Sequence, residues 1–483
     1  MTPSGDALVG LDHDIDLVAC EQEPIHTPGA IQPQGVLLVA QLDNFIVTHV
    51  SNNLDHYLGV PPDAALGRPL HEVLGEAACD AVRGTLASER YAPCVVLAVT
   101  APKAPFPLQM VVHTTGGSVY VELEVAPQSG NQGLVLQRTQ AIMHALHAAR
   151  SQRELCDIVV TKLRELTGYD RVMVYRFDRE GNGEVIAEDR DRDLEPYLGL
   201  HYPGSDIPPQ ARRMYLAQRV RAIADVDYVP VPIRANPALG QVPPVDMTLC
   251  ALRSVSPAHL EYMRNMGTRA SLGVSLIPSS SLWSLLVCHH RSPLVITADL
   301  RAQCDLLGQL MSLLLGTVGE AECYAEQLRR QRTLHEVIAR VTELGEVADA
   351  LLASGDAILS MLDASGAMIR LGERTVTLGL TPPIEAATRA MTALITRSDA
   401  DLIAIDELRE CVPDWSTESA TASGALYLAL PPGLGDAIMW FRPEIEREVK
   451  WAGDPTKAVD PDPTTGRLSP RRSFAVAVQV ITF

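Results

Sequence analysis

The sequence predicts an α+β protein of three domains joined by a long helical spine. The chain has 483 residues, and at about 150 residues per domain this length corresponds to roughly three domains. Short strand patterns mixed with helical patterns recur in three separate regions. Between the second and third regions, Ala298 to Leu344 contains no proline and only isolated glycines, which favours one long helix.

The composition excludes disorder and argues against nucleic acid as the main partner. Apolar residues make up 47% of the chain and charged residues 20%, so cores can form. Lys and Arg number 40 against 59 Asp and Glu, a net charge of −19. A nucleic-acid-binding protein needs clustered cations to neutralise phosphates, and this acidic balance argues against them. A net negative charge favours a soluble cytoplasmic protein instead.

The chain carries no predicted membrane span or secretory signal. The longest apolar run, Leu306 to Val318, is interrupted by polar residues and glycines and is shorter than the ~18–20 residues that a span needs. No basic segment followed by an apolar stretch opens the sequence. The nine cysteines include no C-x-x-C pair, so neither a disulfide framework nor a metal site is predicted.

The first two regions contain strands and helices in alternation. Strand patterns are predicted at residues 35–40, 45–50, 94–99, 108–114 and 119–125, with short helices between them. In the second region, Thr139 to Leu166 is predicted as one helix that Gly168 ends. Strands are predicted at residues 171–177, 183–188, 271–277 and 282–289. The proline-rich stretch from Val226 to Pro244 has little regular pattern and is predicted as a functional loop.

The spine and the third region complete the predicted architecture. Leucines and valines along 298–344 form an apolar stripe on a helix too long for one small core, so it is predicted to pair with a second copy. A third α+β region begins at Val347. Its segment from Trp440 to Phe474 is rich in Pro, Arg, Asp and Gly, which predicts a long hairpin or loop.

Two of the four stretches with possible chemistry are irregular and proline-flanked. Cys20 lies on a proline-flanked acidic segment where an exposed thiol would be available for chemistry, although nearby carboxylates disfavour its thiolate. Asp206 lies in Tyr-Pro-Gly-Ser-Asp-Ile-Pro between two prolines that stiffen the backbone. Its side chain could also form an Asx-turn or cap the helix that begins at Pro209.

The other two stretches carry the histidines. His259 and Tyr262 are three residues apart on a helix that Ser256-Pro257 begins, and a histidine there is often structural. Arg221 and Arg253 are candidates to bind carboxylates or phosphates. The fourth stretch ends in Cys288-His289-His290; because adjacent residues on a strand point to opposite faces, a joint metal site is not predicted.

Together these four stretches resemble the photosensory core of bacteriophytochromes, the bacterial phytochromes. The resemblance covers nearly the whole chain, and the family's domain order of PAS, GAF and PHY matches the three α+β regions. Trp451-Ala452-Gly453 and Pro470-Arg471-Arg472-Ser473-Phe474 are similar to motifs of the tongue, a hairpin of the PHY domain that contacts the GAF domain.

The resemblance implies domain boundaries and a knot. An N-terminal segment at 1–20 would precede a PAS domain at 21–130, a GAF domain at 139–318 and a PHY domain at 319–483, with the tongue at about 436–476. In the family the segment near Ile31 threads through the loop at 226–244 as a figure-of-eight knot. No kinase, cyclase or phosphodiesterase signature follows, so this chain is not predicted to be an enzyme.

The implied cofactor is biliverdin, a linear tetrapyrrole, attached through a thioether to Cys20. Relatives that use a reduced bilin carry a cysteine just before the pocket histidine, where this chain has Ala258. The residues implied to surround the pigment are Asp206 and His259 at the pyrrole nitrogens, with Ile207 also in contact with the pigment, Tyr215, Arg221, Arg253, Ser256 and Ser271 at the two propionates, and Tyr175, Tyr202, Tyr262 and His289 around ring D.

The implied function is red/far-red light sensing. Light would rotate ring D about the C15=C16 bond, change the contact between Asp206 and Arg471, and refold the tongue that carries Trp451. The change would pass along the spine of a homodimer to a histidine kinase, a response regulator or another signalling partner. Ala477 and Gln479 depart from the tongue pattern, and Gly273 stands where many relatives have a serine for a propionate.

Two other classes of function compete with this interpretation. The first is a PAS/GAF sensor of a different small molecule that is not photochemical. The second is an enzyme that acts on bilins, for which the chain shows no separate nucleophile or acid–base pair. Absorbance under red and far-red light distinguishes the three.

Overall fold

The computed structural model of the protein describes residues 24–87, 95–127, 132–240, 244–398, 400–412, 414–415, 418–430, 436–453 and 474–482. It divides into two compact units. One contains the described residues up to Val318 together with those between Lys450 and Ala477, and the other contains the rest. Both units combine helices with mainly antiparallel sheets, which confirms the predicted α+β class.

The first domain is built on a seven-stranded sheet with the order β1-β11-β3-β2-β6-β5-β4. Its own elements are β1 (Ala30–Ile31), β2 (Gly35–Gln41), β3 (Val47–Ser51), α1 (Leu54–Leu58), α2 (Pro62–Ala65), α3 (Leu70–Leu74), α4 (Glu76–Ala87), β4 (Val95–Val99), β5 (Leu108–Thr115) and β6 (Ser118–Val125). Strand β2 is buried on both faces: Val36 and Leu38 pack on the helices, whereas Leu37 and Val39 pack on the second domain.

Strand β11 (Val231–Ala235) comes from the second domain and lies between β1 and β3. The prediction that residues 226–244 lack regular structure was therefore wrong for these five residues. Pro232 cannot donate to the ladder, but its carbonyl accepts the amide of Asn52 at 2.9 Å. The segment after β1 also contacts the second domain, since Gln32 donates from Nε2 to the carbonyl of Ala222 at 3.0 Å. The knot itself stays a prediction.

The second domain surrounds the sheet β10-β12-β13-β7-β8-β9. Its elements are α5 (Gln132–His147), α6 (Gln152–Thr167), β7 (Arg171–Phe177), β8 (Gly183–Arg190), β9 (Leu200–Tyr202), α7 (Pro209–Ala217), β10 (Val220–Ile223), α8 (Pro257–Asn265), β12 (Ala270–Leu276) and β13 (Ser284–His290). Its core contains Leu155, Val159, Leu163, Leu272 and Leu286, each fully buried. Helix α6 covers this core with a regularly spaced apolar face.

The predicted single helix from Thr139 to Leu166 is two helices, α5 and α6. Ser151 caps the second one, because its hydroxyl accepts the amide of Glu154 at 3.1 Å. The Glu154 carboxylate in turn accepts the amide of Arg150 at 2.7 Å. Gly168 ends α6 with φ 74°, as predicted.

A buried ion pair links the first domain to the long helix α9 (Ala298–Leu344). Both Glu124 on β6 and Arg301 on α9 are nearly inaccessible, and each Arg301 Nη atom donates to a Glu124 oxygen. Removing one partner of such a pair costs about 3–5 kcal/mol, because the other charge stays buried alone. The bounds of α9 confirm the predicted spine.

The third region forms a five-stranded sheet with the order β15-β14-β18-β17-β16. Its elements are α10 (Val347–Ala353), α11 (Gly355–Met361), β14 (Gly366–Leu371), β15 (Arg374–Gly379), α12 (Ile384–Arg397), β16 (Leu402–Ile405), β17 (Gly424–Ala429) and β18 (Ala437–Arg442). Strands β19 (Glu446–Ala452) and β20 (Val476–Thr482) follow. Strand β18 belongs to the central sheet, so the first residues of the range predicted as tongue lie in this domain's core. Within the described residues, every helix is too short or too polar to cross a membrane.

Candidate functional site

The second domain encloses a cavity of about 570 Å³. This volume falls within the range of about 300–1,000 Å³ that is typical of small-molecule sites. Strands β7, β12 and β13 form its floor, and α7, α8 and the loop before α8 form its walls. The structure brings all twelve residues predicted to surround a pigment to this cavity: Tyr175, Tyr202, Asp206, Ile207, Tyr215, Arg221, Arg253, Ser256, His259, Tyr262, Ser271 and His289.

Two arginines form what we call the arginine end of the cavity, Arg221 on β10 and Arg253 on the loop before α8. Arg221 donates from Nη1 to the carbonyl of Ala251 at 3.2 Å, and its Nη2 donates to the carbonyls of Arg253 and Ser254. Arg253 donates from Nη1 to the carbonyls of Met247 and Thr248 at 3.3 and 3.2 Å. Both guanidiniums are thus fixed by backbone oxygens.

Neither arginine is in an ion pair with a carboxylate among the described residues. Burial lowers the pKa of Arg221, and burial followed by the charge of Arg221 lowers the pKa of Arg253 to about 9. Two neighbouring cations, Arg253 buried and Arg221 partly buried, are held by neutral groups and attract an anion strongly. A guanidinium matches a carboxylate in two parallel hydrogen bonds. The arginine end can therefore bind a ligand with carboxylates.

Asp206 and His259 line the middle of the cavity. Asp206 ends a short 3₁₀ turn, and its carboxylate accepts the Tyr262 hydroxyl at 2.8 Å. The helix that follows begins after Pro208, without a side-chain cap, so the alternative that Asp206 caps it was wrong. The rings of His259 and Tyr262 are nearly parallel at 6.1 Å, as expected for residues three apart on α8. Burial, then the charge of Arg221, lowers the pKa of His259 to about 4.

Tyr175, Tyr202 and His289 form what we call the aromatic end. Tyr175 lies on β7 and His289 on β13, whereas Arg221 lies on β10 at the edge of the same sheet. The rings of Tyr175 and Tyr202 are 5.6 Å apart. Burial, followed by the charge of Arg171, lowers the pKa of His289 to about 3, so its imidazole is neutral at pH 7. Within the described part of the chain, the Tyr202 hydroxyl and the His289 Nδ1 are buried without a hydrogen-bond partner. Such groups are costly unless a ligand or water bonds to them.

A buried ion pair lies behind the aromatic end. The side chains of Arg171 and Glu188 are 5% and 3% exposed, and Arg171 Nε lies 3.0 Å from Glu188 Oε1. The Arg171 guanidinium also lies 3.4 Å from the ring centroid of Tyr197, a cation–π contact. Its charge disfavours protonation of His289, because like charges repel in this poorly solvated region.

Gly183 on β8 provides the space that Tyr175 occupies. A Cβ atom at this position would overlap the phenol ring of Tyr175. At the arginine end, a Cβ at Gly273 would lie 3.2 Å from the Tyr215 ring and hydroxyl, a tight contact without overlap. Glycine therefore sets the ring position more strictly at the aromatic end.

Two of the predicted residues, Cys20 and Arg471, lie outside the described part of the chain. The third predicted relay residue, Trp451, is buried on β19, which pairs in parallel with β9 through Lys450–Leu200 and Trp451–His201. The rings of Trp451 and His201 are 5.7 Å apart. Phe474, three residues after Arg471, contacts Tyr262 edge-on at 5.3 Å.

Comparison with known proteins gives the same three domains in the same order. Family models for a PAS fold, a GAF domain and the phytochrome region match residues 20–126, 151–317 and 330–482. The chain is 35% identical to a bacteriophytochrome of Xanthomonas campestris, with 97% of this chain and 75% of that one aligned. It is 33% identical to cyanobacterial phytochrome B of Nostoc sp., where 96% of this chain and 63% of the relative align.

Two solved phytochrome structures are similar to this chain over nearly its whole length. The photosensory core module of the Stigmatella aurantiaca phytochrome is 34% identical with a TM-score of 0.81, covering 97% of this chain and 94% of that one. A bacteriophytochrome from the photosynthetic bacterium R. palustris is 30% identical with a TM-score of 0.83, covering 96% of this chain and 94% of that one.

This chain belongs to the phytochrome family. Its PAS, GAF and PHY domains together form a photosensory core, the light-sensing part of a photoreceptor. The chain spans about three fifths of the length of the first curated relatives it matches.

Phytochromes bind a linear tetrapyrrole, and the cavity fits such a group. A tetrapyrrole with two propionates presents carboxylates for the arginine end, pyrrole N–H groups for the oxygens near Asp206, and a terminal ring carbonyl for His289 or Tyr202. The unpartnered atoms of Tyr202 and His289 are what a polar ring would satisfy. Among the described residues, no group of three or more His, Cys, Asp or Glu side chains could hold a metal ion.

Sequence reasoning missed some of the cavity residues. Met173, Met214, Met263 and Met266 line the wall but carry no motif of their own. It also missed Glu122, which lies behind the arginine end, because its strand alternates apolar and acidic residues in the way that a half-exposed strand does.

Proposed function

We propose that this chain is a red/far-red photoreceptor module that binds biliverdin covalently and converts light into a change of the tongue and spine. One observation carries the proposal: the same cavity has two carbonyl-held guanidiniums at one end and unpartnered Tyr202 and His289 atoms at the other. A flexible pigment with acidic side chains and a polar terminal ring satisfies both ends. The pigment supplies the absorption of red light and the rotation of ring D about its C15=C16 bond.

The arginine end holds the two propionates in this proposal. Arg221 and Arg253 bind the carboxylates, and Tyr215, Ser256 and Ser271 line the same cavity with hydroxyl groups. Because backbone carbonyls already fix both guanidiniums, little side-chain entropy is lost when the carboxylates bind.

The middle of the cavity stabilises a protonated pigment. A buried cation needs hydrogen-bond acceptors, and the Asp206 segment places backbone and carboxylate oxygens at the cavity wall. His259, with its pKa lowered to about 4, is a neutral imidazole that accepts a hydrogen bond without adding positive charge. Ile207 next to Asp206 adds apolar surface.

At the aromatic end, neutral His289 can donate to the ring D carbonyl, while Tyr175, Tyr202 and Tyr262 enclose the ring. Tyr262 connects this end with Asp206 through the 2.8 Å hydrogen bond between its hydroxyl and the carboxylate. A change of ring position is therefore passed to Asp206 by one direct contact.

Cys20 is the proposed attachment residue. Ile25, five residues later, lines the cavity, and five extended residues span at most about 18 Å. Ala258 precedes the cavity histidine, so no thiol is present at that position. A variant Cys20→Ser is expected to carry no covalent pigment.

The tongue is proposed to respond through Arg471 and Asp206. Phe474, three residues after Arg471, contacts Tyr262, which lines the cavity. Trp451 packs near His201 on the strand that leads to Asp206. A charge-assisted contact between Asp206 and Arg471 worth about 1.5–3 kcal/mol changes a two-state equilibrium about ten- to a hundredfold.

A homodimer through the spine is proposed as the signalling unit. Exposed Leu306, Leu313 and Leu334 on α9 are separated by multiples of seven residues, as are exposed Tyr324 and Ile338. This spacing is typical of paired helices. The signal is proposed to reach a histidine kinase domain, a response regulator or another partner.

Co-expression with a haem oxygenase tests the proposal. We expect a coloured chain whose absorbance changes reversibly under alternating red and far-red light, with zinc-stained covalent pigment on a denaturing gel. The Cys20→Ser variant should lose the stain, whereas the control Cys411→Ser should keep it. A colourless chain would favour a sensor of another small molecule, and a coloured chain without photoconversion would contradict the photoreceptor function.

A further inference from the structure

Glu122 of the PAS domain is buried directly behind the arginine end. It lies on β6 and is 1% exposed. Its Oε1 accepts the amide of Ala251 at 3.0 Å, and its Oε2 accepts the amide of Leu252 at 2.7 Å. One carboxylate from the first domain therefore bonds to two successive peptides of the second domain, just before Arg253.

The peptide between Ala251 and Leu252 lies between two charged groups. Its N–H donates to Glu122, while its carbonyl accepts Arg221 Nη1 at 3.2 Å. The peptide dipole is aligned favourably with both charges, since its positive end faces the carboxylate and its negative end faces the guanidinium. Glu122 and Arg221 are thus linked through a single peptide unit.

Glu122 is the buried acid beside the two cavity arginines, and the half-buried Asp246 also interacts with Arg253. The neighbouring Glu124 is already paired with Arg301. The residues opposite Glu122 on the adjacent strands, Leu37 and Val111, are apolar. The other ionisable groups around it are Cys250, Arg221 and Arg253 from the second domain. One buried carboxylate partly offsets two guanidiniums, and the other carboxylate, Asp246, is half in solvent, so positive charge is left for an incoming anion.

We propose that Glu122 is a positioning residue for carboxylate binding: it holds the Ala251–Leu252 peptide so that Arg221 and Arg253 face the ligand's carboxylates. This inference rests on the proposed function, because it takes propionates to be the groups at the arginine end. It predicts that a residue of the PAS domain, outside the cavity, affects one end of the pigment and not the other.

Reversible binding of two pigments to the Cys20→Ser chain tests this role, at about pH 8.5 so that Glu122 is ionised. Biliverdin has free propionates, whereas its dimethyl ester lacks their charge but keeps the ring system. In the Glu122→Gln variant one oxygen becomes an amide N–H₂ that cannot accept a peptide N–H. We expect the Kd for biliverdin to rise about tenfold and the Kd for the diester to change less than about twofold. The matched control Glu72→Gln removes an exposed PAS carboxylate and should leave both values unchanged.

A Glu122→Asp variant retains the charge and shortens the side chain, and it serves where the amide variant does not fold. It should weaken biliverdin less than Glu122→Gln does and again spare the diester. Equal weakening of both pigments, or no change in either, would overturn the positioning role while leaving the proposed function intact. If the chain with Glu122 bound both pigments equally, the propionate assignment of the proposed function would itself be wrong, and this inference with it.

Discussion

The two ends of the cavity are built in different ways. At the arginine end, charged side chains are fixed by bonds to backbone carbonyls, and a carboxylate from another domain supports that backbone. At the aromatic end, rings are held by packing, and buried polar atoms of Tyr202 and His289 have no partner in the described residues. The first arrangement favours affinity, because it is preorganised. The second allows rearrangement, because a new hydrogen bond forms there at no cost to an existing one.

The largest expected difference between the ends is in affinity. Arg253→Ala in the Cys20→Ser chain should raise the Kd for biliverdin by about a thousandfold, or about 4 kcal/mol, because a buried carboxylate loses its partner. His289→Ala should raise it less than about threefold while shifting the red absorption band. Absorbance titration measures both. Arg213→Ala, an exposed arginine on α7, is the control. Similar losses for Arg253→Ala and His289→Ala would contradict the division between the ends.

The two ends should also respond to pH with opposite signs in the chain without pigment. Burial raises the pKa of Glu122 to about 7, so between pH 4.5 and 7 the folded chain holds more protons than the unfolded chain. Its contribution therefore lowers the free energy of unfolding as the pH rises. The pKa of His289 is lowered to about 3, so between pH 3 and 6.5 the unfolded chain holds more protons. Its contribution raises the free energy of unfolding over that window.

Urea unfolding of Glu122→Gln and His289→Gln at about pH 5, 5.5, 6 and 6.5, where the two windows overlap, measures this difference. Each substitution should change the slope by up to about 1.4 kcal/mol per pH unit. The slope should become more positive for Glu122→Gln and more negative for His289→Gln. Changes of the same sign would show that the two groups do not titrate as their burial requires.

A pair of glycine substitutions compares the packing of the two ends. Gly183→Ala should destabilise the chain by about 2 kcal/mol, because the new methyl group overlaps the Tyr175 ring. Gly273→Ala should cost less than about 1 kcal/mol, since its Cβ would lie 3.2 Å from Tyr215 and a small ring movement relieves the contact. Urea unfolding gives both values. A larger loss for Gly273→Ala would show that the arginine end is packed more rigidly than the aromatic end.

Much of the fold could be predicted because its strands and helices follow regular apolar patterns. The spine from Ala298 to Leu344 and the end of α6 at Gly168 lie where the pattern placed them. The break before Ser151 was missed although Ser151-x-x-Glu154 is a local capping signal, because the apolar spacing continues across it. Strand β11 was missed because its pairing partners are distant in sequence and two prolines obscure the pattern.

The candidate site could be predicted from the resemblance of its motifs to a known family, and only partly from the properties of the individual residues. Asp206 and His259 carry local signals that fit structural roles equally well, and their meaning came from the resemblance of four stretches taken together. Glu122 has no such signal: a glutamate that alternates with apolar residues indicates an exposed face. Its burial depends on the second domain covering that face of the sheet, which no local pattern records.

Strand β11 makes the PAS and GAF domains inseparable for protein engineering. The PAS sheet is completed by five residues that the chain supplies more than a hundred positions later. A PAS fragment expressed alone would present the open edge of β3 to other molecules, a known route to aggregation. Swapping sensor domains between relatives therefore calls for exchange of both together, with the recombination point after Val318 instead of between them.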